Sequence, residues 1–355
     1  MKVVLATPLY PPESGGPATY AALLEEVLPP SGISVATVKF SDVRHLPKLV
    51  RHVAYSLRVY AAARRANLVY ALDPVSTGLP ALCAAKLAGK PFVLKMVGDY
   101  AWEQGVQRYG VTDLLDEFVT RTEYPMQVKF LRGLERFVAR RARVVIVPSE
   151  YLKRIVIAWG IQEKRVRVVY NAAPSVSVAT GTVPDHGSYV VTVGRLVPWK
   201  GVAGVIDAVS RIPNLSLVVI GDGPEKEELA RRSSDKIRFL GALPHSETLA
   251  YLKHADALIL NTKYEGLSHL LLEACALGTP IITTPVGGNP EIVTDGETGL
   301  MVTPDDTDAM GAAITKIRSD AGLRGRMTRA AREKAASFSK ERLVQETVTL
   351  LQSLV

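Results

Sequence analysis

The sequence predicts an α/β protein that consists of two domains, each with a parallel sheet. Short apolar runs typical of buried strands alternate with longer helical patterns along almost the whole chain. At 355 residues, with 47% hydrophobic and 22% charged residues, the chain is long enough for two ordinary globular domains. A stretch of small and polar residues, 176–187, is the best candidate for a linker. We therefore predict an N-terminal domain over residues 1–175, a C-terminal domain over 188–339 and a final helix over about 340–355.

The chain begins with a predicted buried strand, Met1 to Thr7, that leads through a Pro- and Gly-rich loop into a helix from Pro17 to Leu28. Gly15 and Gly16 lie at the end of this loop. A strand followed by glycines and a helix N-terminus is a common cradle for phosphate groups. The local sequence SGGPATY is neither a GxGxxG pattern nor a P-loop, so a ligand contact and a purely structural turn are both open.

The next segment, Val43 to Leu72, contains no acidic residue, and its spacing predicts an amphipathic helix that is basic on one side. Residues 1–170 carry 24 Lys and Arg against 14 Asp and Glu, a net charge of +10, whereas the whole chain carries +8. The excess favours an anionic membrane surface as a partner, and a merely solvated helix face is the alternative. We expect no nucleic-acid partner. The basic side chains of the segment are Arg44, Lys48, Arg51, Arg58, Arg64 and Arg65.

Two more strands with a helix between them continue the alternation of the first domain. Asp99 follows the second of these strands, and ligands of open parallel sheets bind beyond the carboxyl ends of strands. Asp99 is therefore either a substrate contact or an acid that caps a turn. A helix-rich stretch over residues 103–143 follows, and Pro125 predicts a break in it. The strands and the intervening helix are predicted at Leu68–Ala71, Phe92–Val97 and about Gly78–Leu87.

The second domain opens with the strand YVVTV and a loop that carries Arg195 and Lys200. Two cations five residues apart on a loop after a strand can straddle a diphosphate, because the guanidinium offers a planar fork and the ammonium a compact charge. A pair of ordinary surface bases is the alternative.

A helix framed by two acids follows further along the second domain. Ser268 is its predicted N-cap, Gly278 ends it, and a short buried strand begins at Pro280. Glu265 lies in the loop before the helix and Glu273 lies inside it, so the two carboxylates can serve different parts of one ligand. The alternative is that Glu265 is an ordinary surface acid and that Glu273 is a helix acid paired with a neighbouring base. The helix N-terminus favours an anion. The residues predicted to surround that anion are Gly266, Leu267, Ser268 and His269.

The whole string from Asn261 to Pro304 resembles the signature of the retaining, GT-B-fold glycosyltransferases of family four, also called glycosyl transferases group 1. That signature has two glutamates separated by seven residues and then the pattern GGxPEIVxDGxTG. The resemblance implies a GT-B fold, in which two Rossmann-like domains face each other across a cleft and the C-terminal helix crosses back to the first domain. The matching positions are Glu265, Glu273, Gly278, Pro280, Gly287, Gly288, Pro290, Glu291, Asp295 and Gly296.

The resemblance also implies roles for single residues. Glu265 is expected to bind donor sugar hydroxyls and to stabilise the positive charge that develops at the anomeric carbon, while Glu273 holds the ribose. Asp99, where many relatives have a histidine, is expected to act as a base or polariser for the acceptor hydroxyl, or else to cap a turn. Gly15, Gly16, Arg195 and Lys200 are the residues expected at the donor diphosphate. Gly221, Leu243 and Pro244 are those expected at the nucleoside.

The implied function is transfer of a hexose from a UDP- or GDP-sugar to a hydroxyl group of a glycan or lipid-linked glycan. Front-face departure of the diphosphate with retention of configuration is expected, with no metal and no other cofactor. The triplet Asp306-Thr307-Asp308 resembles a metal-binding DxD, but its place at a predicted helix start favours capping. The alternatives are a non-catalytic nucleotide-sugar-binding protein and a nicotinamide-dependent Rossmann enzyme, which the missing GxGxxG disfavours.

The cysteine content and the hydropathy of the sequence indicate in which cellular compartment the protein is expected. Cys83 and Cys275 both lie in apolar helical patterns, which favours two core residues in a reducing environment. No apolar run approaches the length of about 20 residues that spans a bilayer, and the N-terminus does not resemble a signal peptide. We therefore expect a cytoplasmic protein. The basic segment favours a peripheral position of this protein at the inner face of the plasma membrane.

Overall fold

The computed structural model describes residues 1–13, 15–173 and 187–355, and the chain forms two compact units within them. Unit 1 consists of Met1–Tyr170 together with Glu341–Val355, and unit 2 consists of Asn171–Lys340. The predicted linker, 176–187, lies outside the described residues except for Gly187. Each unit contains a six-stranded sheet in which neighbouring strands are parallel, so the predicted α/β class is confirmed.

The sheet of unit 1 has the strand order β2-β1-β3-β4-β5-β6. Strands β3, β4 and β5 are buried along their whole length, because helices cover both faces of a parallel sheet. Strand β2 lies at the edge of the sheet and stays partly exposed. The strands are β1 Lys2–Thr7, β2 Ser34–Lys39, β3 Leu68–Ala71, β4 Phe92–Lys95, β5 Val144–Val147 and β6 Val166–Val168.

Capping hydrogen bonds and prolines mark the points where helices of unit 1 begin. The side chain of Ser149 accepts a hydrogen bond from the Leu152 amide at the start of α7. The predicted break at Pro125 is confirmed, since Pro125 directly precedes α6. The last helix of the chain, α15, falls in unit 1 apart from its first residue. The helices are α1 Gly16–Val27, α2 Lys48–Ala63, α3 Gly78–Leu87, α4 Tyr100–Arg108, α5 Leu115–Thr120, α6 Met126–Arg141, α7 Glu150–Ala158 and α15 Lys340–Gln352.

The sheet of unit 2 has the strand order β12-β11-β10-β7-β8-β9, and its core includes Val190, Leu217 and Ile259. The strands are β7 Tyr189–Val193, β8 Ser216–Ile220, β9 Ile237–Gly241, β10 Ala257–Leu260, β11 Ile281–Thr283 and β12 Leu300–Met301. The helices are α8 Val202–Ser210, α9 Lys226–Arg231, α10 His245–His254, α11 His269–Leu277, α12 Asn289–Ile292, α13 Thr307–Ser319 and α14 Ala321–Ala336.

One expectation from the sequence is wrong. Cys275 is buried as predicted, but Cys83 is exposed, because it lies on the solvent side of α3. The segment after Val43 forms the predicted helix, α2, in which part of the apolar side chains is exposed. Leu49 and Val53 of α2 are exposed together with the basic residues Lys48 and Arg58.

Candidate active site

The strand order of unit 2 places a topological switch point between β7 and β10. From β7 the chain proceeds outward through β8 and β9, and it then returns to the other side of β7 and proceeds through β10, β11 and β12. The loops that follow β7 and β10 therefore diverge at one edge of the sheet and leave a crevice, which is where ligands of open α/β sheets bind. The first of these loops carries Arg195 and Lys200, and the second carries Glu265.

Backbone contacts fix these two loops against each other. The carbonyl oxygen of Trp199 accepts hydrogen bonds from the Lys263 amide, at 2.7 Å, and from the Thr262 hydroxyl, at 3.1 Å. As a result the Lys200 ammonium contacts the Glu265 carboxylate, and both side chains are half-buried. The structure thus brings together one cation and one anion that the sequence predicted as parts of a donor site. Arg195, on the same loop as Lys200, is exposed.

Four glycines allow the loops at this edge to approach backbone to backbone. A Cβ atom on Gly287 would lie 2.0 Å from the carbonyl oxygen of Glu265, and one on Gly221 would lie 1.9 Å from that of Gly194. Gly288 and Gly223 are equally confined by neighbouring loops. The glycine pattern of the sequence therefore has a structural cause: it holds the loop of Glu265 against the loop after β11, and the loop of Arg195 against the loop after β8.

Helix α11 begins and ends as the sequence predicts. The Ser268 hydroxyl accepts a hydrogen bond from the Leu271 amide, and Gly278 adopts the left-handed conformation, φ 73°, at the C-terminal end. Leu267 and Ser268 are buried, whereas His269 is partly exposed. Glu273 lies in the second turn of the helix, away from the Lys200–Glu265 contact along the chain.

Glu273 has a partner that the sequence did not predict. The Nε2 atom of His245 lies 2.9 Å from Oε1 of Glu273, and this hydrogen bond raises the pKa of His245 above its ordinary value. From the sequence, His245 is expected only to be a polar residue of a turn and not a catalyst. Leu243 and Pro244, predicted at the nucleoside, directly precede it, and Pro244 is the N-cap residue of α10. Nothing in the local sequence indicates this contact, because the two residues are 28 positions apart.

The predicted site residues of unit 1 lie at the corresponding edge of its own sheet, where the switch point falls between β1 and β3. Gly15 has φ 143° and is the N-cap residue of α1, and its carbonyl oxygen accepts hydrogen bonds from Ala18 and Thr19. A Cβ atom on Gly16 would meet no atom within 4 Å. Packing within the described residues therefore does not require a glycine at position 16, and a ligand contact for it stays a prediction.

Asp99 makes the capping contact that the sequence left open. Its carboxylate accepts a hydrogen bond from the Trp102 amide at 2.8 Å at the start of α4, and its side chain is buried. Burial raises the pKa of Asp99 to about 6. Glu135 is also buried and accepts a hydrogen bond from the Ala101 amide, and burial, followed by the charge of Asp99, raises the pKa of Glu135 well above its ordinary value. A catalytic role for Asp99 stays a prediction.

The triplet at residues 306–308 caps a helix, as predicted. The Asp306 carboxylate accepts a hydrogen bond from the Ala309 amide at 2.9 Å, and Asp308 forms an ion pair with Arg211 at 2.7 Å. Within the described ranges, no cluster of three or more His, Cys, Asp or Glu side chains is arranged to hold a metal ion.

Two family models match the chain, one in each half. The model for the glycosyl transferase 4-like domain matches residues 2–172, and the model for glycosyl transferases group 1 matches residues 179–334. The chain belongs to the group 1 glycosyltransferases. The family that the signature indicated is thereby confirmed, and the motif-bearing loops of unit 2 fall within the second match.

Curated relatives of this group 1 glycosyltransferase are similar over part of their length. The lipopolysaccharide core biosynthesis glycosyltransferase LpsE of Rhizobium meliloti is 28% identical over 242 residues, which are 65% of this chain and 68% of LpsE. A glycogen synthase of Mycobacterium tuberculosis is 37% identical over 154 residues, which are 41% of this chain and only 37% of the synthase.

Solved structures match over nearly the whole chain and show the fold. Sucrose-phosphate synthase from Thermosynechococcus elongatus superposes with a TM-score of 0.81 at 20% identity, covering 99% of this chain and 98% of the synthase. HepE from Anabaena, solved in complex with UDP-glucose, superposes with a TM-score of 0.78 at 19% identity and full coverage of both chains. The predicted GT-B fold is therefore confirmed for this group 1 glycosyltransferase.

Proposed function

We propose that this protein transfers a hexose from a UDP- or GDP-sugar to a hydroxyl group of a glycan or lipid-linked glycan, with retention of the anomeric configuration. The observation that carries the proposal is the contact between Lys200 and Glu265 at the switch point of unit 2. A nucleotide sugar needs a cation for its diphosphate next to an acid for its sugar, and these two side chains meet that need from two neighbouring loops.

The two charges of this pair do different work on a bound donor. The Lys200 ammonium, helped by the exposed guanidinium of Arg195 and the N-terminus of α11, neutralises the diphosphate as it leaves. Glu265 binds sugar hydroxyls and stabilises the positive charge that develops at the anomeric carbon. The bond from this carbon to the diphosphate oxygen breaks, and the acceptor oxygen forms the new bond on the same face while its proton passes to the departing diphosphate. No metal is needed, because the chain supplies the countercharge.

The nucleoside is assigned to the other part of the unit 2 site. Glu273 accepts hydrogen bonds from the ribose hydroxyls, Gly221 lies beside the nucleotide, and the backbone at Leu243 and Pro244 contacts the base. Support for a nucleotide sugar comes from HepE, whose structure contains UDP-glucose. Gly15 and Gly16 of unit 1 are assigned to the diphosphate, and Asp99 is assigned to the acceptor hydroxyl or to its helix cap.

A glycan acceptor is supported by the similarity to LpsE, a glycosyltransferase of lipopolysaccharide core biosynthesis. Such an acceptor is joined to a lipid and would lie at a membrane surface. The basic residues of the N-terminal half agree with this location, because they favour an anionic membrane surface. We propose a cytoplasmic protein that works at the inner face of the plasma membrane. Among the described residues, no helix is both long and apolar enough to cross a membrane.

A donor panel with two variants tests the assignment. Wild-type protein is screened for binding and slow hydrolysis of UDP- and GDP-hexoses, and the donor found is then given to Glu265→Ala and Glu273→Ala. Glu265→Ala should keep nucleotide binding and lose turnover, whereas Glu273→Ala should weaken nucleotide binding. Glu297→Ala, which removes an exposed acid of the same unit, is the matched control.

Several outcomes would contradict the proposal. If both variants bound nucleotide and turned over like the control, the site assignment would be wrong. Binding without hydrolysis or transfer by the wild type would favour a non-catalytic nucleotide-sugar-binding protein. A product of inverted anomeric configuration, measured by NMR coupling constants, would refute retention.

A further inference from the structure

Among the described residues, the exposed large hydrophobic side chains all lie in unit 1. Unit 2 contributes no large hydrophobic side chain to the exposed surface of the described ranges. Isolated exposed hydrophobic residues are normal in any protein, but such one-sided clustering marks an interaction surface. The exposed residues are Leu49, Val50, Val53, Leu57, Leu87, Val97, Leu114, Met126, Phe130, Phe137 and Val355.

Helix α2 carries the densest part of this surface. Leu49, Val50, Val53 and Leu57 are 83, 52, 61 and 63% exposed. Their spacing of one, three and four residues places them on one face of the helix. The opposite face buries Tyr55, Val59 and Ala63 against unit 1. A surface helix normally turns its apolar residues toward the core, so this second apolar face is available for a partner.

Cationic side chains surround that apolar face. Lys48 at the first turn of α2 and Arg64 and Arg65 just after its last turn are exposed, and no acid occurs between Val43 and Leu72. Two of the other bases are already paired, since Arg44 contacts Glu13 and Arg58 lies 3.1 Å from Asp42. The charge offered to a partner is therefore concentrated at the two ends of the helix.

A second helix presents the same combination on the same side of the sheet. Met126, Phe130 and Phe137 are exposed along α6, next to the exposed bases Lys129 and Arg141. Helix α3 packs on both α2 and α6, so these three helices form one layer over the sheet of unit 1. The outer side of this layer therefore carries exposed apolar side chains with neighbouring bases on two of its helices.

We propose that the outer face of the α2–α3–α6 layer, defined here as the membrane face, inserts shallowly into an anionic bilayer. Leu49, Val50, Val53 and Leu57 enter the boundary of the acyl chains, while Lys48 and the bases after α2 contact lipid phosphates. Long basic side chains around an apolar centre suit this interface, because their aliphatic stems lie along lipid and their charges stay at the headgroups. The inference rests on the peripheral location proposed above and not on the transfer chemistry.

The experiment is sedimentation of the full chain with vesicles of phosphatidylcholine, with and without phosphatidylglycerol, at low and high salt. The apolar variant is Leu49→Ser with Val53→Ser, and the basic variant is Lys48→Gln, Arg64→Gln and Arg65→Gln. The matched control replaces three exposed bases of unit 2, Arg326, Arg329 and Lys334, by Gln.

The wild type and the control should bind vesicles that contain phosphatidylglycerol. The basic variant should lose at least about tenfold in partitioning at low salt, where charge is least screened. The apolar variant should lose as much at both salt concentrations. Both variants should keep donor hydrolysis, so a failure of the membrane face is distinguishable from a failure of the proposed chemistry.

Three results would overturn the inference. One is wild-type protein that stays in the supernatant with anionic vesicles at low salt. Another is an apolar variant that partitions like the wild type. The third is a wild-type dimer in light scattering that Leu49→Ser with Val53→Ser converts to a monomer, because the apolar face would then belong to a contact between two copies of the chain.

Discussion

The contact between His245 and Glu273 predicts that nucleotide-sugar binding depends on pH. The carboxylate of Glu273 is 15% exposed and lies 2.9 Å from Nε2 of His245, which is 57% exposed. If Glu273 accepts hydrogen bonds from the ribose, the protonated imidazole competes for the same carboxylate oxygens. The perturbation that removes this competition is His245→Gln, which keeps a polar side chain and removes the titration.

The magnitude follows from the exposure of the pair. An ion pair this open to solvent is worth about 0.2 to 1 kcal/mol after screening, so displacing it costs at most about a fivefold loss in affinity. The pKa of His245 is raised above its ordinary value of about 6.5, so the imidazole is largely protonated below that value and its contact with Glu273 is then strongest. Its contribution to the free energy of unfolding is present at low pH and lost as the pH rises through the raised pKa.

The assay is calorimetric titration of the donor sugar nucleotide between about pH 5.5 and pH 8.5. A sugar nucleotide is chosen over a free nucleoside diphosphate because its diphosphate lacks the terminal ionisation near pH 6 that would mask the effect. Wild-type affinity should fall by two- to fivefold toward low pH, and His245→Gln should bind with little dependence on pH. Equal pH dependence in the two proteins, or none in the wild type, would refute the competition.

Three other predictions follow from the loops, the cysteines and the proposed chemistry. Gly287→Ala should lower kcat by about 100-fold with nucleotide binding retained, because its Cβ atom would displace the Glu265 loop. The control is Gly296→Ala, which also has a positive φ, 75°, but has open space around it. Equal kinetics for the two variants would contradict the expected displacement of the loop. Exposed Cys83 should react with a thiol reagent in the native protein. Burial raises the pKa of Cys275 to about 12, so Cys275 should react only after denaturation. Reaction of two thiol groups per chain in the native protein would count against the fold. Donor hydrolysis should be unchanged by EDTA, and activity that magnesium restores would disprove metal independence.

The local structure around helix α11 could be predicted from the sequence because its signals are local. The helix from Ser268 to Gly278 has a hydroxyl cap at one end and a left-handed glycine at the other, and both signals act within a few residues. Gly287 was predicted from a pattern alone, and the structure supplies the reason in its approach to the Glu265 backbone. Strands of the sheet interiors were equally clear, since a strand buried on both faces is continuously apolar.

The features that the sequence could not predict depend on the environment of a residue. Leu49 and Val53 have the spacing of a core face, and only the packing of α2 shows that Tyr55 and Val59 fill that role instead. The edge strand β2 is partly exposed, so its sequence SVATVK lacks the continuous apolar run of a buried strand. His245 meets Glu273 through the packing of α10 on α11, a contact that no local pattern encodes.

Residues 307–336 form two helices, α13 and α14, although the helical pattern of the sequence is continuous there. Asp320 ends α13 and caps α14, with its carboxylate accepting a hydrogen bond from the Leu323 amide. The sequence around it, RSDAGLRG, contains an N-cap residue, but helical periodicity continues on both sides of it. A single capping residue inside a periodic pattern is a weak signal, and tertiary packing decides whether the helix continues.

The backbone contacts at Gly221 and Gly287 have a consequence for attempts to change the donor sugar by exchanging loops. The loop of Glu265 leaves no room for even a methyl group between itself and the loop after β11, and the loop of Arg195 is equally confined by the loop after β8. Neither can be lengthened or replaced alone without a steric conflict with its neighbour. In recombination between homologues, each of these loop pairs is therefore expected to behave as one inherited block, and chimaeras that divide a pair should fail to assemble the site.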